Sequence, residues 1–118
     1  MPNYWIVGAT IGGQNYLEAF VRRGHWYMIN EKPHEKEKRE QIKPGDRIAI
    51  KRMTGPAQPE IEIRALGIVT ENDLEEECVY VNWVVSGLER RVPSQGAYAT
   101  IHGPFAQDDE WTRQAFQL

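Results

Sequence analysis

The apolar positions of this chain fall mostly into short runs of period two, separated by Gly, Pro and acidic turns. Tyr4, Trp5, Ile6 and Val7 are consecutive and β-prone, so residues 3–9 read as a buried, central strand. Gly12 and Gly13 follow, and they make either a tight turn or a loop whose backbone can pass close to a ligand. Leu17, Phe20 and Val21 have helical spacing and predict a helix over 15–23, with Asn15 as its N-cap. Arg22 and Arg23 suit the last turn of that helix, and Gly24 its stop. Periodicity then disappears. His25-Trp26-Tyr27-Met28-Ile29-Asn30 reads as a loop with two adjacent aromatics. The charged run from Glu31 to Glu40 has Glu35–Arg39 and Lys36–Glu40 at i,i+4 spacing, which predicts a short solvated helix or a mobile loop.

Strand signals dominate the second half. Ile42-Lys43-Pro44-Gly45-Asp46 is a turn, after which Ile48, Ile50 and Met53 point inward and Arg47, Ala49 and Lys51 outward. Residues 54–59 form a loop, and 60–70 the next strand. Ile61, Ile63 and Ala65 share one parity there, and Leu66 and Ile68 the other. That switch beside Gly67 predicts a β-bulge or a bend. Residues 71–77 are acidic and turn-like. Val79, Val81, Trp83 and Val85 alternate cleanly with Tyr80 and Asn82. Ser86-Gly87 turns into a run from Leu88 to Val92 that Pro93 ends, and a short strand is expected from Tyr98 to Ile101. Asp108 is placed to cap a last helix, in which Trp111, Ala115 and Leu118 recur at i, i+4 and i+7. The pattern predicts an α+β fold. It is a small mixed β-barrel of five to six strands with short flanking helices, one domain over 1–118.

At 118 residues such a domain can bury a core without staples. No apolar run reaches the ~20 residues of a membrane helix. Met1-Pro2-Asn3 leads into a strand with no basic leader, and Cys78 is the single cysteine, so a cytoplasmic protein without disulfides is expected. The net charge of −3 argues against broad, non-specific nucleic-acid binding. It leaves room for a protein that grips one base and a few phosphates. His25, His34 and His102 form no i,i+4 metal pair, and no nucleophile elbow or P-loop occurs. No catalysis, metal or cofactor is expected, and Cys78 reads as a packed residue.

The aromatic residues change the picture. Trp5, Trp83 and Trp111 lie within periodic patterns and read as core. Trp26 lies in none, so it is either a plug over the barrel end or a wall against which a flat ligand stacks, worth ~1–3 kcal/mol per base.

Three segments resemble the PUA-like superfamily, in its EVE and YTH branches. They are Tyr4-Trp5-Ile6-Val7-Gly8-Ala9; Gly24-His25-Trp26-Tyr27 followed by Asn30; and Ile42-Lys43-Pro44-Gly45-Asp46-Arg47 with Ala65-Leu66-Gly67-Ile68-Val69. Their order and spacing resemble, in particular, EVE-like domains attached to McrB-type modification-dependent restriction systems, over roughly residues 3–85. The resemblance implies a reader of a flipped, modified base, methylated DNA above all, that works without catalysis. It implies Trp26 as one wall of an aromatic cage. Ala9, Thr10 and Gly12 would border the pocket, and Tyr27 and Asn30 would form its other lip. The second cage aromatic has no tryptophan between Gly67 and Trp83 to fill it, which leaves Tyr80, Tyr98 or His102. Lys51, Arg52, Arg90 and Arg91 are the candidates for backbone phosphates. The implied partners are nucleic acid and an ATPase or nuclease, either as a separate chain or as a domain from which this module is cut. Three alternatives stay open: an RNA-binding domain of the PUA or ASCH type, a small hydrolase of nucleoside derivatives, and an interaction protein whose aromatic loop docks a partner chain.

Overall fold

The computed structural model describes residues 2–29, 31–53, 60–95 and 99–117. They form a small α+β structure, a mixed seven-stranded sheet and a two-stranded hairpin with three helices. In chain order the elements are β1 (Tyr4–Gly8), β2 (Thr10–Ile11), β3 (Gln14–Asn15), α1 (Leu17–Arg23), β4 (His25–Trp26) and α2 (Pro33–Gln41). Then come β5 (Arg47–Met53), β6 (Glu60–Asp73), β7 (Cys78–Val85), β8 (Arg90–Pro93), β9 (Ile101–Phe105) and α3 (Glu110–Phe116).

The main sheet runs β4-β7-β6-β5-β1-β9, and β8 pairs with the first residues of β6. β1 and β5 are parallel, and every other pairing in it is antiparallel. β1 is flanked on both sides, as its unbroken apolar run requires. The expected closed barrel does not form. Among the described residues the end strands β4 and β9 do not pair with each other, so the sheet stays open.

Both faces of the sheet are covered. Trp5, Val7, Ile48, Ile50, Val79 and Val81 build one core with Phe20 of α1. Ile6, Ala49, Ile61, Ile63 and Val92 build the other with Trp111 and Ala115 of α3. Ala49 is therefore buried, not outward, and Lys51 is only 4% exposed. The parity switch in β6 is a real register slip. Ile50 faces Ala65 while Lys51 faces Ile63, which leaves Arg64 as an extra residue in the ladder. A second slip lies where the sequence placed it, between Leu66 and Gly67 opposite β7. Gly67 has to be glycine, because an added Cβ would come within 2.4 Å of Val81 Cγ1.

Other expectations are displaced. α1 starts at Leu17, and the Asn15 side chain accepts from the Leu17 N–H at 2.9 Å. Gly24 stops it in the left-handed conformation at φ 72°. The short strand expected from Tyr98 lies further on, at β9, and Tyr98 itself falls outside the described residues. Asp109 rather than Asp108 caps α3, accepting from the Thr112 N–H and hydroxyl at 2.9 Å each. Asp46 is the hidden anchor of the Pro-Gly-Asp turn. Its buried carboxylate accepts from Trp5 Nε1 at 2.9 Å and from the N–H groups of Asn3 and Lys43.

Candidate functional site

The C-terminal end of β1 organises the candidate site. Gly8 donates its N–H to the Thr100 carbonyl at 2.7 Å and accepts from Trp26 Nε1 at 2.8 Å. Past Ala9 the chain makes the β2–β3 hairpin, in which Thr10 pairs with Asn15 and Ile11 with Gln14. Its two-residue turn needs positive φ twice, and Gly12 (57°) and Gly13 (81°) supply it. The Tyr16 N–H closes the hairpin base on the Ala9 carbonyl at 2.8 Å.

Beside this turn lies a cleft of about 120 Å³, lined by Thr10, Ile11, Gly12, Met28, Glu35 and Thr100. Ile29, 47% exposed, completes its wall. Water occupies ~30 Å³ in the liquid, so the cleft has room for about four waters or one small planar ring. A drug-sized ligand needs ~300 Å³ or more, so the occupant is small or is one projecting part of something larger.

Trp26 is not in a loop. With His25 it forms β4, paired to Val79 and Tyr80 of β7. Its ring is fully buried in the core. In this conformation it offers no face to a ligand, which corrects its expected role as a stacking wall. Its observed part is to fix the end of β1 through Gly8. Tyr27 packs edge-on against Phe20 of α1 with ring centroids 5.0 Å apart and against His25 at 5.4 Å, and it is not among the described residues that line the cleft. Ala9 is buried beneath the hairpin. Of the expected pocket residues, Thr10 and Gly12 line the cleft, and Asn30 lies outside the described residues. Met28, Glu35 and Thr100 were missed. The i,i+4 spacing predicts Glu35 and Arg39 as a solvated surface pair. Instead Arg39 is fully buried and holds Glu31 through two 2.9 Å bonds.

The expected phosphate ligands scatter. Lys51 is buried, with Nζ 3.3 Å from His102 Nε2, and burial pushes its pKa down to about 8, so it is not a surface cation. Arg90 donates to the Ala115 carbonyl at 2.7 Å and ties α3 to β8. Arg91 is exposed and lies 3.7 Å from Glu62, and Arg52 is exposed opposite Glu62 in the ladder.

A larger recess of about 490 Å³ is lined by Asn15 of the hairpin with Glu18, Arg22, Arg64 and Ser86. Arg64 is the bulge residue of β6. Its Nη1 is 3.4 Å from Glu62, and its buried Nε has no hydrogen-bond partner among the described residues. Bulges re-aim side chains in this way next to functional sites. The parity switch is the sequence signal for the bulge, whereas the position of Arg22 in the sequence marks it only as a helix-dipole residue.

The groups considered for catalysis are dispersed. Burial and the nearby Arg23 charge lower the pKa of His25, which packs on Phe20 and Tyr27. Burial raises the pKa of the Cys78 thiol, which disfavours the reactive thiolate. Among the described residues no group of three or more His, Cys, Asp or Glu is placed to hold a metal ion. No described helix is long and apolar enough to cross a membrane. No protein-family model matches the chain, and no curated protein matches it significantly.

Proposed function

We propose that this protein reads nucleic acid by receiving one extruded base, a modified DNA base above all, in the cleft beside the Gly12–Gly13 turn, without chemistry of its own. PUA-like, EVE-type membership is part of the same proposal. The observation that carries it is the cleft itself. Its volume is close to that of one small ring, it opens to solvent, and its exposed lining is mainly polar, with Thr10, Thr100 and Glu35 beside Ile11, Met28 and Ile29. A slot too small for a nucleotide yet open to solvent suits a base presented by a longer strand. The recess with Arg22 and Arg64 adjoins it through the Thr10–Asn15 pair and suits a neighbouring phosphate. Glu18 in the same recess, with the overall charge of −3, keeps the number of phosphate contacts low.

The test is a titration with duplexes that carry one methylated base either paired or opposite a mismatch. Extrusion from a sound duplex costs a few kcal/mol, so the mismatched target binds at least tenfold more tightly. Thr10 is exposed, and Thr10→Leu adds bulk at the cleft without a charge or a stacking ring. It weakens binding about tenfold and leaves the unfolding midpoint in place. Equal binding by Thr10→Leu and the parent would remove the cleft as the site.

A further inference from the structure

Glu35 is the third residue of α2, and its position has an obvious structural use. Its Oε1 accepts from the Lys32 N–H at 3.0 Å and so covers one of the unpaired donors at the start of the helix. That use consumes one oxygen and needs no charge. A glutamine at this position caps equally well. Yet the residue is a carboxylate that is only 8% exposed, and it lines the ring-sized cleft. Among the described residues nothing donates to Oε2. Glu35 is not among the residues with a sealed, unpartnered polar atom, so Oε2 opens to the cleft and takes water or a ligand there as its partner. An ionised carboxylate only accepts, so the matching ligand atom must be a donor.

We propose that Glu35 reads the hydrogen-bonding edge of the bound base and selects bases with an exocyclic amino group over those with a carbonyl there. The inference rests on the cleft being a base slot. Within that slot it fixes the direction of the hydrogen bond. The N4 amino group of cytosine donates to Oε2, whereas O4 of thymine meets it acceptor to acceptor. A methyl group on ring carbon 5 leaves the amino group intact, so 5-methylcytosine and thymine share their outline and differ on this edge.

Three single-stranded oligodeoxynucleotides of one sequence test it, with cytosine, 5-methylcytosine or thymine at a single central position. The parent protein binds the 5-methylcytosine strand at least tenfold more tightly than the thymine strand. Glu35→Gln keeps the cap on Lys32 and puts an amide donor where Oε2 was. Its unfolding midpoint stays within a few degrees, and its preference falls to unity or reverses toward thymine. An unchanged preference in Glu35→Gln, with binding still weakened about tenfold in Thr10→Leu, overturns the role of Glu35 and leaves the slot standing. Binding by the parent that ignores the central base overturns it too. A parent that binds none of the three strands overturns both the slot and Glu35.

Discussion

The aromatic interior and the cleft at the end of β1 lie within a few residues of each other, and they differ in what their polar atoms have left to offer. All four indole N–H groups are already spent inside the molecule. Trp5 donates to Asp46, Trp26 to Gly8, Trp83 to Phe20 and Trp111 to Pro93. Trp5 and Trp26 are wholly buried as well. Among the described residues the cleft lining holds no aromatic ring, yet it holds a carboxylate with an oxygen that none of them donates to. The aromatic-rich composition thus marks how this fold is held together, and the proposed recognition would fall to the smaller residues at the end of β1.

Trp26→Ala breaks the comparison most severely. Truncating a buried tryptophan costs ~3–5 kcal/mol, and here it also strips the Gly8 carbonyl of its donor. Small domains have ~5–15 kcal/mol in total, so the urea midpoint of the variant falls by a large fraction. A variant that unfolds like the parent and loses only oligonucleotide binding would mean that the ring swings out to meet a ligand. It would then belong with the cleft and not with the core.

Lys51 sharpens the contrast from inside. Burial lowers its pKa from 10.5 to about 8. Between those values the unfolded chain holds more of this proton than the folded one, so stability rises with pH across that window. At ~1.36 kcal/mol per unit, the charged amine costs the fold roughly 3 kcal/mol below pH 8, a cost that is gone above pH 10.5. Lys51→Met removes that part of the rise in urea stability, measured against the parent from pH 7 to 11. Equal pH profiles would put Lys51 in solvent and return it to the candidates for phosphate contact.

The sequence was most legible where local chemistry decides the backbone. The apolar run of β1, the Gly12–Gly13 turn, the Gly24 stop and the turn at Gly45 all stand where their residue types demand. The alternation of Val79 and Val81 also gave β7 correctly. What could not be read depends on partners far along the chain. β4 is two residues long and exists because β7 pairs with it, so no period could reveal it. Asp46 and Arg39 look like surface charges until Trp5 and Glu31 are placed beside them. The cleft was half legible. Thr10 and Gly12 adjoin a recognisable strand end, but Glu35 and Thr100 reach it only through tertiary contact.

Arg22 gives the smallest effect and a direct reading of where a strand would run. It lies exposed in the last turn of α1, so Arg22→Ala changes stability by no more than ~0.5 kcal/mol. If the recess beside the hairpin holds one phosphate, affinity for a single-stranded oligonucleotide falls a few-fold. The slope of log affinity against log salt then drops by ~0.7, the share of one phosphate on a single strand. Arg52→Ala is the matched control, since Arg52 is also exposed but lies on β5 opposite Glu62. A lower slope in Arg22→Ala alone runs the strand past the hairpin. A lower slope in Arg52→Ala alone runs it along the sheet and detaches the recess from the cleft. The two variants thus separate a site built on the hairpin from one built on the strands beneath it.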